Sequence, residues 1–259
     1  MKKMKKIKTS ELFILHNDSV YEETELSKYK KIAHSQNGED GIIEEIFNRI
    51  TLSKKFFVEF GGWDGINLSN TANLRINQLW DGVLFEGDGE KVKQNENTIK
   101  IYNEYVTSQN VNELFEKYNV PNNFGFLSID VDGDDPYIFE SIDYSRFSPD
   151  LIVIEYNPGL PNHIPIRYEE QGINQTREKV EMGYFGANIN SMYDIATKKG
   201  YKFVTTCEWN LFFIKEDLFN QLNIEELDKN TIIKTQSNCG GSDFWRNIIM
   251  SHEMDWVIC

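Results

Sequence analysis

The nine residues FVEFGGWDG, Phe57 to Gly65, place an acid at position 59 and glycines at 61, 62 and 65 as an apolar run closes. A short run of aromatic and β-branched residues with a glycine turn behind it reads as a buried strand followed by a tight turn. Gly61 and Gly65 permit backbone conformations and close approaches that a Cβ would block. Six further runs repeat the theme: GVLFEGD, IKIYNEYV, FGFLSIDVDG, DLIVIEYNP, YKFVTTCEW and NLFFIKE. Between them NTANLRINQLW, VNELFEKYN and SMYDIATKKG carry apolar residues at helical spacing, the last ending in the stop signal Lys198, Lys199, Gly200. The alternation predicts an α/β fold, with a largely parallel sheet of crossover units and helices on both faces.

With 259 residues, 40% of them hydrophobic, the chain can bury one substantial core. A net charge of -14 disfavours nucleic acid and anionic membrane surfaces as partners, since both are bound through clustered cations. No run approaches the length of a membrane span, and the basic opening MKKMKKIKTS leads into no apolar stretch, so a cytoplasmic location is expected. Cys207, Cys239 and Cys259 are scattered, with no zinc or disulfide spacing. Residues 1–34 read as a leader with a helix at YEETELSKYKKIAH, and 35–216 as the α/β core, opening on the helix GEDGIIEEIFNRI. A lid-like insertion is expected at about 159–189, near Pro158, Pro161 and Pro165, and a helical addition over 217–259.

In an open parallel sheet, ligands sit beyond the carboxyl ends of the strands, where the strand order reverses. The spacing E-x-G-x-x-x-G from Glu59 through Gly61 to Gly65 is neither the dinucleotide fingerprint nor a P-loop. An acid there would repel pyrophosphate and suits the ammonium group of S-adenosylmethionine, which carries no phosphate. Glu86 ends the next strand, where a carboxylate can accept both ribose hydroxyls.

A second group lies further along. Asp130, Asp132, Asp134 and Asp135 follow the fourth strand, and Glu155 and Asn157 end the fifth. Such crowding of carboxylates calls for protons or a cation, and the oxygen ligands suit magnesium or manganese better than zinc. Asp130, Asp132, Glu155 and Asn157 are the metal candidates, while Asp134 and Asp135 also read as helix caps before Pro136. His163 is a candidate general base, and Arg167 with Arg177 a candidate site for an acidic substrate on the lid.

HSQNGEDGIIEEIF, FFVEFGGWDGINLSNTANL, LWDGVLFEGD, FLSIDVDGDDPYIFESI and LIVIEYNP together resemble the FkbM-type S-adenosylmethionine-dependent methyltransferases, particularly relatives found among bacterial surface-polysaccharide genes. The resemblance spans about Ser35 to Pro158. It implies a class I methyltransferase fold, a Rossmann-like three-layer sandwich whose seven-stranded sheet has an antiparallel last strand. It also implies Glu59, Gly61 and Gly65 as the cofactor turn, Glu86 as the ribose acid, and Gln36, Asn70 and Thr71 near the methionine end. FEGD departs from the acid-Pro pair usual in the family, and Gly87 and Asp88 occupy the adenine-side positions. The implied activity is O-methylation of a sugar or other small polar acceptor, free or saccharide-linked, with a divalent cation assisting. The competing readings are a metal-dependent glycosyltransferase using the D-x-D at 130–132, and a non-catalytic cofactor-binding module.

Overall fold

Side chains of the FFVEF run part to opposite faces of a sheet, with Phe56, Val58 and Phe60 in one apolar cluster and Phe57 in another. The computed structural model describes residues 5–13, 24–95, 97–234 and 240–259. Its strands are β1 (Lys5–Lys8), β2 (Phe56–Phe60), β3 (Asp81–Glu86), β4 (Ile101–Asn103), β5 (Asn123–Ile129), β6 (Ser148–Glu155), β7 (Ile166–Arg167), β8 (Tyr201–Cys207), β9 (Asn210–Lys215) and β10 (Asp255–Ile258). Its helices are α1 (Thr9–Leu12), α2 (Glu39–Arg49), α3 (Ala72–Gln78), α4 (Gly89–Val92), α5 (Val111–Lys117), α6 (Asp135–Ser141), α7 (Arg177–Glu181), α8 (Ile189–Lys198), α9 (Lys229–Ile232) and α10 (Gly240–Met250).

Seven strands form the main sheet in the order β4-β3-β2-β5-β6-β9-β8. β4, β3, β2, β5 and β6 run parallel, and β9 is antiparallel to both its neighbours. This is the class I sheet, with its last strand reversed. Apolar side chains of α2, α3 and α4 pack on one face and those of α5, α6 and α8 on the other, giving three layers. Leaving β2 the chain builds outward to β3 and β4, then returns to place β5 on the other side. The order therefore reverses at β2, and the carboxyl ends of β2, β3, β5 and β6 share one rim.

A second sheet, β1-β10-β7, was not anticipated from the sequence. It joins the leader, the region read as a lid, and the segment read as a helical addition, which ends in a strand. KKIK carries no alternating pattern; it becomes a strand because β10 supplies backbone partners from Lys5↔Ile258 to Lys8↔Asp255. Beneath lies a third apolar cluster of Leu12, Tyr137, Leu160, Ile166, Tyr168, Ile249 and Trp256. The helix expected at YEETELSKYKKIAH is instead a short 3-10 turn at Glu25–Tyr29, and residues 21–23 of that stretch lie outside the described residues. Among the described residues no helix is long and apolar enough to cross a membrane.

Candidate functional site

The rim opens into a cavity of about 560 Å³. Gly61 turns the chain away from β2 at φ +71°, and a Cβ there would lie 1.6 Å from the Asp130 carbonyl oxygen. Glycine is required because β5 passes behind the turn. The Gly61 and Gly62 N–H groups both donate to the Phe85 carbonyl, at 3.0 and 3.1 Å, which pins the turn to the end of β3.

Glu86 ends β3 and lines the cavity. Its Oε2 accepts from the Trp63 N–H and its Oε1 from the Asp88 N–H, both at 2.8 Å. Burial raises its pKa, and the neighbouring Asp88 and Asp132 charges add to the rise. Gln36 reaches the cavity from the SQNGED segment, which Asp40 holds by accepting from the N–H groups of Ala33, His34 and Ser35 at 2.7–2.8 Å.

On the far side of the turn stand Asp130, Asp132 and Glu155. One carboxylate oxygen from each lies within 4.8 Å of the other two. Burial pushes the pKa of Asp130 and of Glu155 well up; the charges of Asp132 and Asp135 push Asp130 further, and those of Asp130, Asp135 and Asp132 push Glu155 further. Glu155 Oε2 is buried with no hydrogen-bond partner, so this carboxylate lacks a group to complete it. Three hard oxygen donors and one orphaned oxygen fit a divalent cation such as magnesium or manganese.

Asp134 stands at the N-cap position of α6 but its side chain makes no capping hydrogen bond; it and Asp135 hold neighbouring loops instead. Asp135 accepts from the N–H groups of Val131 and Gly133 at 2.9 Å each, folding the loop that carries Asp132, and burial lifts its pKa to about 7. Asp134 accepts from the N–H groups of Gln171 and Gly172, at 3.1 and 2.6 Å, and from the Tyr168 hydroxyl. These bonds tie the 159–189 segment down against the site. Trp63 (φ +48°), Leu68 (φ +60°) and Asp132 (φ +56°) line the cavity in left-handed conformations although none is glycine.

Of the residues singled out in the sequence, Gln36, Gly61, Gly62, Glu86, Gly87, Asp88, Asp130, Asp132, Asp134 and Glu155 line the cavity. Others sit elsewhere. Glu59 turns inward: Ser69 Oγ and Thr71 Oγ1 donate to its Oε2 at 2.7 and 2.5 Å, and the Asn70 N–H to its Oε1 at 2.8 Å. Glu59, Asn70 and Thr71 thus form a buried brace behind the wall, with Gly65 also outside the lining. Asn157 is fully buried and its amide is committed, donating to the Gly183 and Phe185 carbonyls and accepting from the Gly159 N–H. It secures the base of the 159–189 segment and stands outside the cavity lining. His163 is exposed and outside the lining. Arg167 is buried and paired with Glu140 at 2.7 Å, so it offers no open site for an acid.

Sequence reasoning missed Trp63, Tyr105, Gln175 and Trp209, which complete the wall. The last two come from the 159–189 segment and the β8–β9 turn, and only their proximity in the fold marks them.

No protein-family model matches the chain, and no curated protein matches it. Solved structures resemble its fold at low identity. A SAM-dependent methyltransferase from Archaeoglobus fulgidus is 14% identical over 80% of this chain and 85% of that one, at TM-score 0.38. A candidate hemolysin from Streptococcus thermophilus is 13% identical over 84% and 78%, at TM-score 0.45. PKMT2 from Rickettsia typhi, in complex with AdoHcy, is 11% identical over 86% of this chain and 52% of its own, at TM-score 0.43. At such scores these likenesses do not bear on what the site does.

Proposed function

We propose that the cavity binds S-adenosylmethionine and that the chain methylates an oxygen of a sugar or other small polar acceptor, aided by a divalent cation. The observation that carries the reading is a single cavity with Glu86 on one side of the Gly61 turn and the Asp130, Asp132 and Glu155 cluster on the other. The resemblance to FkbM-type enzymes extends it to precursors of a bacterial surface polysaccharide.

In this reading Glu86 accepts the ribose hydroxyls, the Gly61 turn lets the backbone approach the cofactor, and Gln36 faces its methionine end. Asp130, Asp132 and Glu155 hold the cation. When bound, S-adenosylmethionine would supply a methyl on a sulfonium leaving group and the cation Lewis acidity toward the acceptor oxygen. The chain's own contribution is alignment: Asp134 and Asp135 fix the loop and the segment that enclose the acceptor. His163 stands outside the lining and takes no part in this reading.

The D-x-D reading has support in that Asp130 and Asp132 do converge. A nucleoside diphosphate would, however, meet no Lys, Arg or His among the described residues lining the cavity. Calorimetric titration with S-adenosylhomocysteine, in chelator and again with manganese, tests the proposal. Binding is expected in the intact protein, weakened at least about tenfold in Glu86→Ala through loss of a charged acceptor. No binding under either condition, with tight binding of a nucleoside diphosphate, would hand the site to the glycosyltransferase reading.

A further inference from the structure

Residues 169–182 differ from the rest of the 159–189 segment in what holds them. Ile166, Arg167 and Tyr168 before them are buried, as are Gly183, Phe185, Gly186 and Ala187 after them, but from Glu169 to Met182 no residue is. Ile166 and Tyr168 belong to the third apolar cluster and Ala187 to the first, so both flanks are anchored in packed core. The stretch between them carries only a 3-10 turn at Gly172–Asn174 and the short α7.

Hydrogen bonds fasten this stretch to two loops of the cavity wall. After β5, Asp134 accepts from the Gln171 and Gly172 N–H groups at 3.1 and 2.6 Å, and the Asp132 carbonyl accepts from Gln175 Nε2 at 3.1 Å. After β4, the Tyr105 hydroxyl donates to the Gly172 carbonyl at 3.1 Å, while Ser108 Oγ and, at 3.3 Å, Gln109 Nε2 donate to Glu170 Oε1. Gly172 is thus gripped from both sides, and Tyr105, Asp134 and Gln175 all line the cavity. In the sheet order β3 and β2, which carry Glu86 and the Gly61 turn at their ends, lie between β4 and β5.

The two fastenings differ in strength. Asp134 is buried, and its carboxylate also accepts from the Tyr168 hydroxyl, so that side is a set of charge-assisted bonds away from water. On the β4 side Tyr105 is 45% exposed and its bond to Gly172 joins two neutral groups, which water replaces at little net cost. A stretch with no buried side chain between two packed anchors opens locally while the core stays folded. Tyr105 also ties the weaker fastening to the cofactor side. Its ring lies against Gly87, where an added Cβ would fall 2.9 Å from Tyr105 Cδ2, one residue past Glu86.

Resting on the methyltransferase reading, we propose that residues 169–182 form a strap that releases Tyr105, Ser108 and Gln109 to admit the cofactor and relatches behind it, with Asp134 as the hinge. A cofactor seated at Glu86 steadies the Tyr105 ring, and with it the hydroxyl that holds Gly172.

The test is stopped-flow binding of S-adenosylhomocysteine to the whole chain, read by tryptophan fluorescence, since Trp63 and Trp209 line the cavity. Ser108 lies outside the lining, so Ser108→Ala loosens the latch without touching the ligand. Association and dissociation should both quicken about threefold or more, while equilibrium affinity moves less than about twofold. Tyr105→Phe, which keeps the ring and loses the hydroxyl, should quicken both rates likewise. Trypsin gives a second reading: cleavage after Arg177 should slow about fivefold or more when S-adenosylhomocysteine saturates the protein. Unaltered rates in both variants overturn the proposal, as does cleavage that the ligand does not slow. Calorimetry on the wild type, done first, separates the two failures. No binding fails the methyltransferase reading and the strap with it, whereas binding with unaltered rates fails the strap alone.

Discussion

Glu59 shows how a residue can be placed correctly on its strand and still have its role misread. Sequence puts an acid beside the glycine turn; it does not say which way the side chain bonds. Ser69, Asn70 and Thr71 supply three donors behind the wall, and the carboxyl turns to them. Burial raises its pKa from 4.5 to about 7 despite those donors. The folded state therefore favours the protonated form. Its contribution to stability is whole below the unfolded value and is lost as pH rises through about 7. Thermal melts of the ligand-free protein between about pH 5 and about pH 8 should show stability falling with pH, and Glu59→Gln should flatten that fall by about 3 kcal/mol. Asp130 and Glu155 shift in the same direction, so part of the slope remains in the variant. An unchanged slope would mean Glu59 is ionised in the fold.

Strands announced themselves where burial on both faces demanded continuous apolar runs, in β2, β3, β5, β6, β8 and β9. The same logic delivered Glu86, Asp130, Asp132 and Glu155, because parallel strands end on one rim. Lys-rich β1 and the two-residue β7 stayed hidden, since pairing with the remote β10, Lys5↔Ile258 for β1 and Ile166↔Ile258 for β7, and not local pattern, makes them strands. Gln175 and Trp209 stayed hidden for a related reason: each reaches the cavity from a segment remote from the cofactor turn in sequence. The Gly61 turn, by contrast, was readable, though its cause is the β5 carbonyl behind it. Gly61→Ala combines a left-handed φ with that collision and should cost on the order of 3 kcal/mol in chemical denaturation. A loss under about 1 kcal/mol would show that the turn relaxes freely.

Across the molecule, the small sheet and its apolar cluster couple distant stretches of chain to the cavity wall. Trp256 is fully buried there against the Tyr184 ring, Tyr184 packs edge-on to Tyr168, Tyr168 donates to Asp134, and Asp134 holds Gln171 and Gly172. Trp256→Ala should therefore lower unfolding stability by about 3–5 kcal/mol. It should also weaken acceptor binding more than S-adenosylhomocysteine binding, which calorimetry on the surviving folded protein can compare. Equal weakening of both would mean the sheet supports the fold without favouring one end of the site. Trp63, Leu68 and Asp132, the left-handed residues around the cavity, carry a different implication. Each holds backbone energy on the order of 1–3 kcal/mol that glycine would release. Selection for heat resistance alone would draw these positions toward glycine and loosen the cavity, so the most durable descendants of this chain would be its poorest binders.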